Sequence, residues 1–186
     1  STETNYNVDV DKDTSKAVNA VQIVGEKPLT LTGKYEVTLH LPDGFVVPSD
    51  NKLSIKHQKS SGVEYYTGTV DTTSGTKMVT FETNGFSPFT ISAVAAYVGT
   101  TAYPTLQEAA NAANSGDTIV VKNGASHDLT FTATKSVKVK NETGAAVTVK
   151  FNGTDKDVAK DATETFSYTK PSSSGGSSGG SSSGKT

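Results

Sequence analysis

The sequence predicts a mainly β protein: an N-terminal antiparallel β-sandwich followed by a small β-rich unit carrying one short amphipathic helix. Three observations predict it. Runs rich in Val, Leu, Ile, Thr, Tyr and Phe, apolar at every second position, recur between turn residues along the first half of the chain. Helical periodicity with Ala enrichment occurs only between Leu106 and Ala113. Strand-like runs resume after it and give way to a terminal stretch of Ser and Gly. The expected division is a sandwich over 1–97, a small β-rich unit over 98–170 and a flexible linker over 171–186, the two folded units meeting near Val98 to Ala102.

The first strand is expected where Tyr6, Val8 and Val10 alternate with Asn7, Asp9 and Asp11, the period of a strand with one dry face. Asp9, Asp11 and Asp13 also open a D-x-D-x-D-G calcium loop, but the glycine position is Thr14 and the bidentate-Glu position is Ala20. They are therefore read as the solvated edge of a strand. Leu29, Leu31, Tyr35, Val37, Leu39 and Leu41 share one parity, which predicts a single long strand with a bulge at Gly33. Pro42-Asp43-Gly44 is turn chemistry, with Pro pre-setting φ and Gly supplying a positive one. Shorter strands are expected over 53–57, 63–70 and 78–81, and a last one over 86–95.

In the second half, Thr105 is placed to N-cap a helix while Glu108 reaches back to the cap's own N–H, the capping-box arrangement. Leu106, Ala109, Ala110 and Ala113 form its apolar stripe, and Gly116 is expected to end it in a left-handed conformation. A β-branched strand over 118–121 is closed by Asn123-Gly124. Strands over 129–132, 137–140 and 147–151 follow, the last entering a hairpin with Asn152-Gly153 at its tip and Val158 returning. Phe166 and Tyr168 close the unit. In the tail from Pro171, Ser and Gly carry no apolar surface to offset ordering entropy, so a coil with a reach of roughly 20–24 Å is expected. An appended expression linker would read the same way.

Composition narrows the chemistry. The chain has 186 residues, a net charge of -2 and no Arg among its 17 basic residues, so nucleic acid is a poor partner and the fork-shaped clamp for carboxylates and phosphates is missing. Zero Cys removes disulfides, thiolate nucleophiles and Cys-ligated metal. No stretch approaches the roughly 20 apolar residues of a membrane-spanning helix. Ser1 opens without a signal-peptide pattern, so the chain reads as a mature fragment of something longer. His40, His57 and His127 lie on three separate segments with no second ligand at i+2 or i+4. Asn141 and Asn152 begin glycosylation sequons, a pattern common by chance. A Lys–Asn isopeptide crosslink would need a core Lys, but Lys34, Lys138 and Lys150 fall on wet parities, and Lys12, in phase with Val8 and Val10, sits between two Asp. No crosslink is expected.

The order PLTLTGKYEVTLHLPDGF, a lysine-rich strand, a Tyr-containing strand and VTFETNGFSPFTISA resembles an Ig-like β-sandwich module of surface proteins from Gram-positive, clostridia-like bacteria. There the closing strand carries an aromatic-Ser-x-aromatic core, matched here by Phe86, Ser87, Pro88 and Phe89. The string TLQEAANAANSGDTIVVKNG followed by FTATKSVKVKN resembles the N-terminal cap and first coil of a pectate-lyase-like right-handed β-helix, with a departure after about one coil. The lyases' Arg base is absent, as is their run of stacked rungs. These resemblances imply a non-catalytic extracellular structural or spacer module of a bacterial cell-surface protein, near its anchored end. The alternative is an adhesin module binding a glycan or host protein through Tyr65, Tyr66, Tyr97 and Tyr103. No catalytic residue, metal or cofactor is expected. The expected partners are neighbouring modules of the same polypeptide, with a glycan or host protein under the alternative.

Overall fold

The computed structural model describes residues 3–8, 17–18, 23–29, 34–73, 75–86, 88–122 and 128–171, with side chains described at 3–6 and from 35 onward within those ranges. Asp9, Asp11, Lys12, Asp13, Gly33, Ser87, Asn123-Gly124, His127 and the Ser/Gly tail after Pro171 lie outside the described residues. In chain order the strands are β1 (Glu3–Val8), β2 (Ala17–Val18), β3 (Ile23–Leu29), β4 (Lys34–His40), β5 (Lys52–Lys59), β6 (Gly62–Asp71), β7 (Met78–Thr83), β8 (Phe89–Ser92), β9 (Ala96–Val98) and β10 (Thr101–Tyr103). The helix α1 (Leu106–Ala112) precedes β11 (Thr118–Val121), β12 (Thr130–Phe131), β13 (Val137–Asn141), β14 (Val147–Phe151), β15 (Thr154–Val158) and β16 (Thr163–Phe166). The fold is mainly β, and no described helix is long and apolar enough to cross a membrane.

Every described strand up to Ser92 belongs to one eight-stranded antiparallel sheet, ordered β2-β1-β8-β5-β6-β7-β4-β3. The sheet curls. Tyr6 on β1, five places from β4 in that order, donates its hydroxyl to the His40 carbonyl on β4 at 2.8 Å. The enclosed face buries Tyr6, Val37, Leu39, Phe45, Leu53, Ile55, Val79, Phe81, Phe89 and Ile91. The parity of β4 is that expected, but the single strand expected from Leu29 to Leu41 is two. Leu29 on β3 pairs antiparallel with Lys34 on β4, so the two strands run in opposite directions. Leu and Thr between them carry strand propensity and mask the change of direction, because one parity continues numerically across it. The closing strand is also shorter than expected: Pro88, which has no N–H for a ladder, stands just before β8, and its carbonyl accepts the Gln58 N–H at 3.1 Å.

Every described strand from Ala96 onward lies in two further sheets, β10-β9-β11-β13-β16 and β12-β14-β15. Here the chain makes a coil. β13 lies parallel on β11, with Ile119 opposite Val139, and β14 lies parallel on β12, with Phe131 opposite Phe151. Antiparallel strands close both ends of this short stack: β9 covers β11, while β15 and β16 cover β14 and β13. Phe131, Phe151 and Phe166 fill its centre, with ring centroids 5.0–5.9 Å apart. The Asn152-Gly153 hairpin forms where expected, both residues at positive φ (51° and 88°).

The helix packs Leu106, Ala109 and Ala110 onto this second core, and its N-terminus is capped as expected by Thr105, whose hydroxyl accepts the Glu108 N–H at 3.0 Å. Its C-terminus differs. Ala113 leaves the helix in an extended conformation, while Gly116, at φ 86°, serves the following turn instead. The Lys135 ammonium bonds the carbonyls of Asn111 and Ala113, supplying the cation that the last turn lacks.

Candidate functional site

A cluster of polar side chains lies where β10 and α1 meet the outer face of β5 and β6. Two cross-strand pairs on that face build it. Ser54 and Thr67 are register partners, as are Lys56 and Tyr65. The Ser54 hydroxyl donates to the Ala102 carbonyl at 2.9 Å, and Thr67 donates to the Thr100 carbonyl at 2.7 Å while accepting the Ala102 N–H at 3.0 Å. One row therefore grips the backbone of the β9–β10 hairpin.

The second row grips the helix. Tyr65 donates to Glu108 Oε2 at 2.5 Å, and Lys56 Nζ stands 2.9 Å from the same oxygen. The Tyr65 ring meets the Tyr103 ring at 4.8 Å. Glu108 was expected to reach back to the N–H of Thr105; instead its other oxygen accepts the Thr105 hydroxyl at 2.9 Å. Burial alone would raise its carboxyl, but bonds from Tyr65, Lys56 and Thr105 outweigh that and hold it below the usual carboxylate range. The Tyr65 phenol is pushed up, first by burial and then by the Glu108 carboxylate it bonds.

Tyr66 points the other way, as strand parity requires. Its hydroxyl donates to Glu64 Oε1 at 2.7 Å, lies 3.1 Å from His57 Nδ1 and accepts from Thr83 at 3.2 Å. Burial and then Glu64 push this phenol up to about 12, while the bond from Thr83 works against the shift. His57 shares the parity of Leu53 and Ile55, is buried, and its ring lies tilted against Phe89 at 4.7 Å, which makes it a core residue. His40 is half-buried on β4.

Tyr97 lies on β9, its hydroxyl 3.5 Å from Asp50 and its ring 5.8 Å from the Lys122 ammonium. Burial, then Asp50, pushes the phenol up to about 12. Tyr65 and Tyr97 line an open cleft of about 1000 Å³ between the outer sheet face and the second unit, together with Lys52, Thr69 and Lys122, while Tyr66 borders it with its ring turned to the opposite face. Tyr103, expected as a ligand-facing aromatic, is 7% exposed because the helix and Tyr65 cover it. Hence Tyr65 and Tyr97 border the cleft, Tyr65 and Tyr103 build the joint, and the Tyr66 ring packs on the first core. Phenols held this far above neutral pH act as hydrogen-bond donors there, not as bases.

Sequence reading overlooked Lys56, Ser54 and Thr67, which have the polar side chains of a solvent face. In the sequence Glu108 reads only as a capping residue. Among the described residues no group of three or more His, Asp or Glu could hold a metal ion. No protein-family model matches the chain, and searches of curated proteins and of solved structures found no match.

Proposed function

We propose that this chain is a non-catalytic structural module of a bacterial cell-surface protein, working outside the cell near the anchored end of its polypeptide. The observation that carries the reading is the joint: Lys56–Tyr65 and Ser54–Thr67 tie the first sheet to Glu108, Tyr103 and the β10 backbone. A structural module must hold its units in a fixed relation, and a joint of side-chain bonds and ring contact does so. The resemblances of the first half to surface β-sandwich modules and of the second to a β-helix cap support the same reading. Residual dipolar couplings test it: amides of 34–92 and 96–168 should share one alignment tensor, and two unrelated tensors would overturn it. Antibody labelling of intact source cells tests the location, and signal only after permeabilisation would refute it.

One observation favours a second reading, a glycan- or host-protein-binding module. The cleft of about 1000 Å³ brings the half-buried ring of Tyr97 together with Thr and Lys side chains able to bond hydroxyls. A glycan array probed with the chain and with Tyr97→Ala distinguishes the two: retention that Tyr97→Ala abolishes supports binding, and no retention leaves the structural reading standing alone.

A further inference from the structure

The route of the chain through the two units has a mechanical consequence. Glu3 on β1 pairs with Ser92 on β8, so the chain enters the first unit and leaves it at two neighbouring Cα positions about 5 Å apart. The first residue of β1 and the last of β8 stand at the same end of adjacent antiparallel strands. Tension between them acts along the inter-strand hydrogen bonds and loads the pair Glu3/Ser92 first, then Thr4/Ile91, Asn5/Thr90 and Tyr6/Phe89 in turn. Among the described residues β2 pairs only with β1, and β3, at the far edge, only with β4, so each is released with or soon after that neighbour.

The second unit is loaded differently. Ala96 is level with Val121, Val121 with Asn141, and the Asn141 N–H bonds the Ala162 carbonyl just before β16 begins. β16 ends at Phe166, opposite Val137, at the other end of the sheet. Tension between Ala96 and Phe166 therefore runs along the strands, where the β13–β16 ladder must yield as a whole instead of pair by pair.

We propose that the first unit is a force-released length reserve: it hangs beside the line of tension, adds almost nothing to end-to-end length while folded, and opens by peeling from β1 before the second unit yields. This deepens the structural reading and rests on it for its use in the cell. The order of opening rests on strand register alone, so a protein found inside the cell would sink that reading and leave the pulling result intact.

Single-molecule stretching of the full chain tests the proposal, and the absence of Cys lets engineered thiols define every attachment. Pulled from its two ends, the chain should first lengthen by about 300 Å, the contour of residues 3–92. The force should be at least twofold lower than when the same unit is pulled from Ser61→Cys and the C-terminus. Ser61 lies in the β5–β6 turn, at the end of β8 away from Ser92, so that pull shears β5 along β8. In a Glu3→Cys/Ser92→Cys double variant, whose Cα spacing suits a disulfide, oxidation should abolish the 300 Å event and reduction restore it. Equal or higher force from the end-to-end pull, failure of that disulfide to form, or a 300 Å event that survives oxidation would each overturn the proposal. The reduced double variant shows whether the altered chain still folds.

Discussion

Replacing Tyr65 by Phe removes one hydroxyl from the joint and leaves the ring against Tyr103 at 4.8 Å. The lost bond is a 2.5 Å donation to a carboxylate, a class that contributes roughly 1.5–3 kcal/mol net. Glu108 keeps Lys56 at 2.9 Å and the Thr105 hydroxyl at 2.9 Å, so its charge is not stranded and the low end applies. Lys56 is about one-third exposed and adds no more than about 1 kcal/mol. The expected loss is therefore about 1.5 kcal/mol in urea unfolding, or roughly 3–6 °C in Tm for a chain of this size. A cycle with Glu108→Gln should return a coupling of about 1 kcal/mol. The pH dependence has a definite sign. The folded Glu108 carboxyl lies below its unfolded value, so its contribution is complete above the ordinary carboxylate range and is lost as pH falls through the folded value. The Tyr65 phenol lies above its usual 10, so its contribution is complete below pH 10 and is lost as pH rises through the folded value. Tyr65→Phe should flatten both limbs. A loss below about 0.5 kcal/mol with an unshifted Glu108 carboxyl titration, followed by ¹³C NMR, would refute the reasoning.

Three further outcomes are expected. Gly68→Ala places a Cβ 2.6 Å from Val79 Cγ2 and 3.0 Å from Ile55 Cδ1, overpacking the first core by about 1–3 kcal/mol in calorimetry. Asn152→Ala should cost about 2 kcal/mol, because Asn152 stands at φ 51° and exchanges two 3.0 Å bonds with the Ala133 backbone; Asn152→Gly should recover only the backbone share. Lys135→Met removes the ammonium from the carbonyls ending α1 and should cost about 0.5–1 kcal/mol, a loss that shrinks as salt is added during denaturation.

What could be read from the sequence was whatever neighbouring residues decide. Asn152-Gly153 reaches positive φ cheaply at both positions, so the hairpin and its register followed from two residues. Thr105 and the Leu106, Ala109, Ala110 stripe set the helix in the same local way. Strand pairing is not local: β1 lies between β2 and β8, and β3 at the opposite edge, in an order that alternation cannot encode. The change of direction between β3 and β4 was hidden because Leu and Thr suit a strand whether or not the chain turns back.

The joint shows the same limit at the level of single side chains. Ser54, Lys56, Tyr65 and Thr67 all fall opposite the buried parity of β5 and β6, which reads as a face turned to water. The face is instead covered by β10 and α1, and Ser54 is fully buried there. It carries hydroxyls, an ammonium and a phenol because what it meets is polar, namely the Thr100 and Ala102 backbone and one carboxylate. An apolar replacement at Ser54 or Thr67 would leave those backbone groups unpaired, at roughly 1–3 kcal/mol each. Polar alternation along a strand thus specifies a hydrogen-bonded interface as readily as a wet surface, and only the position of the second unit decides between them.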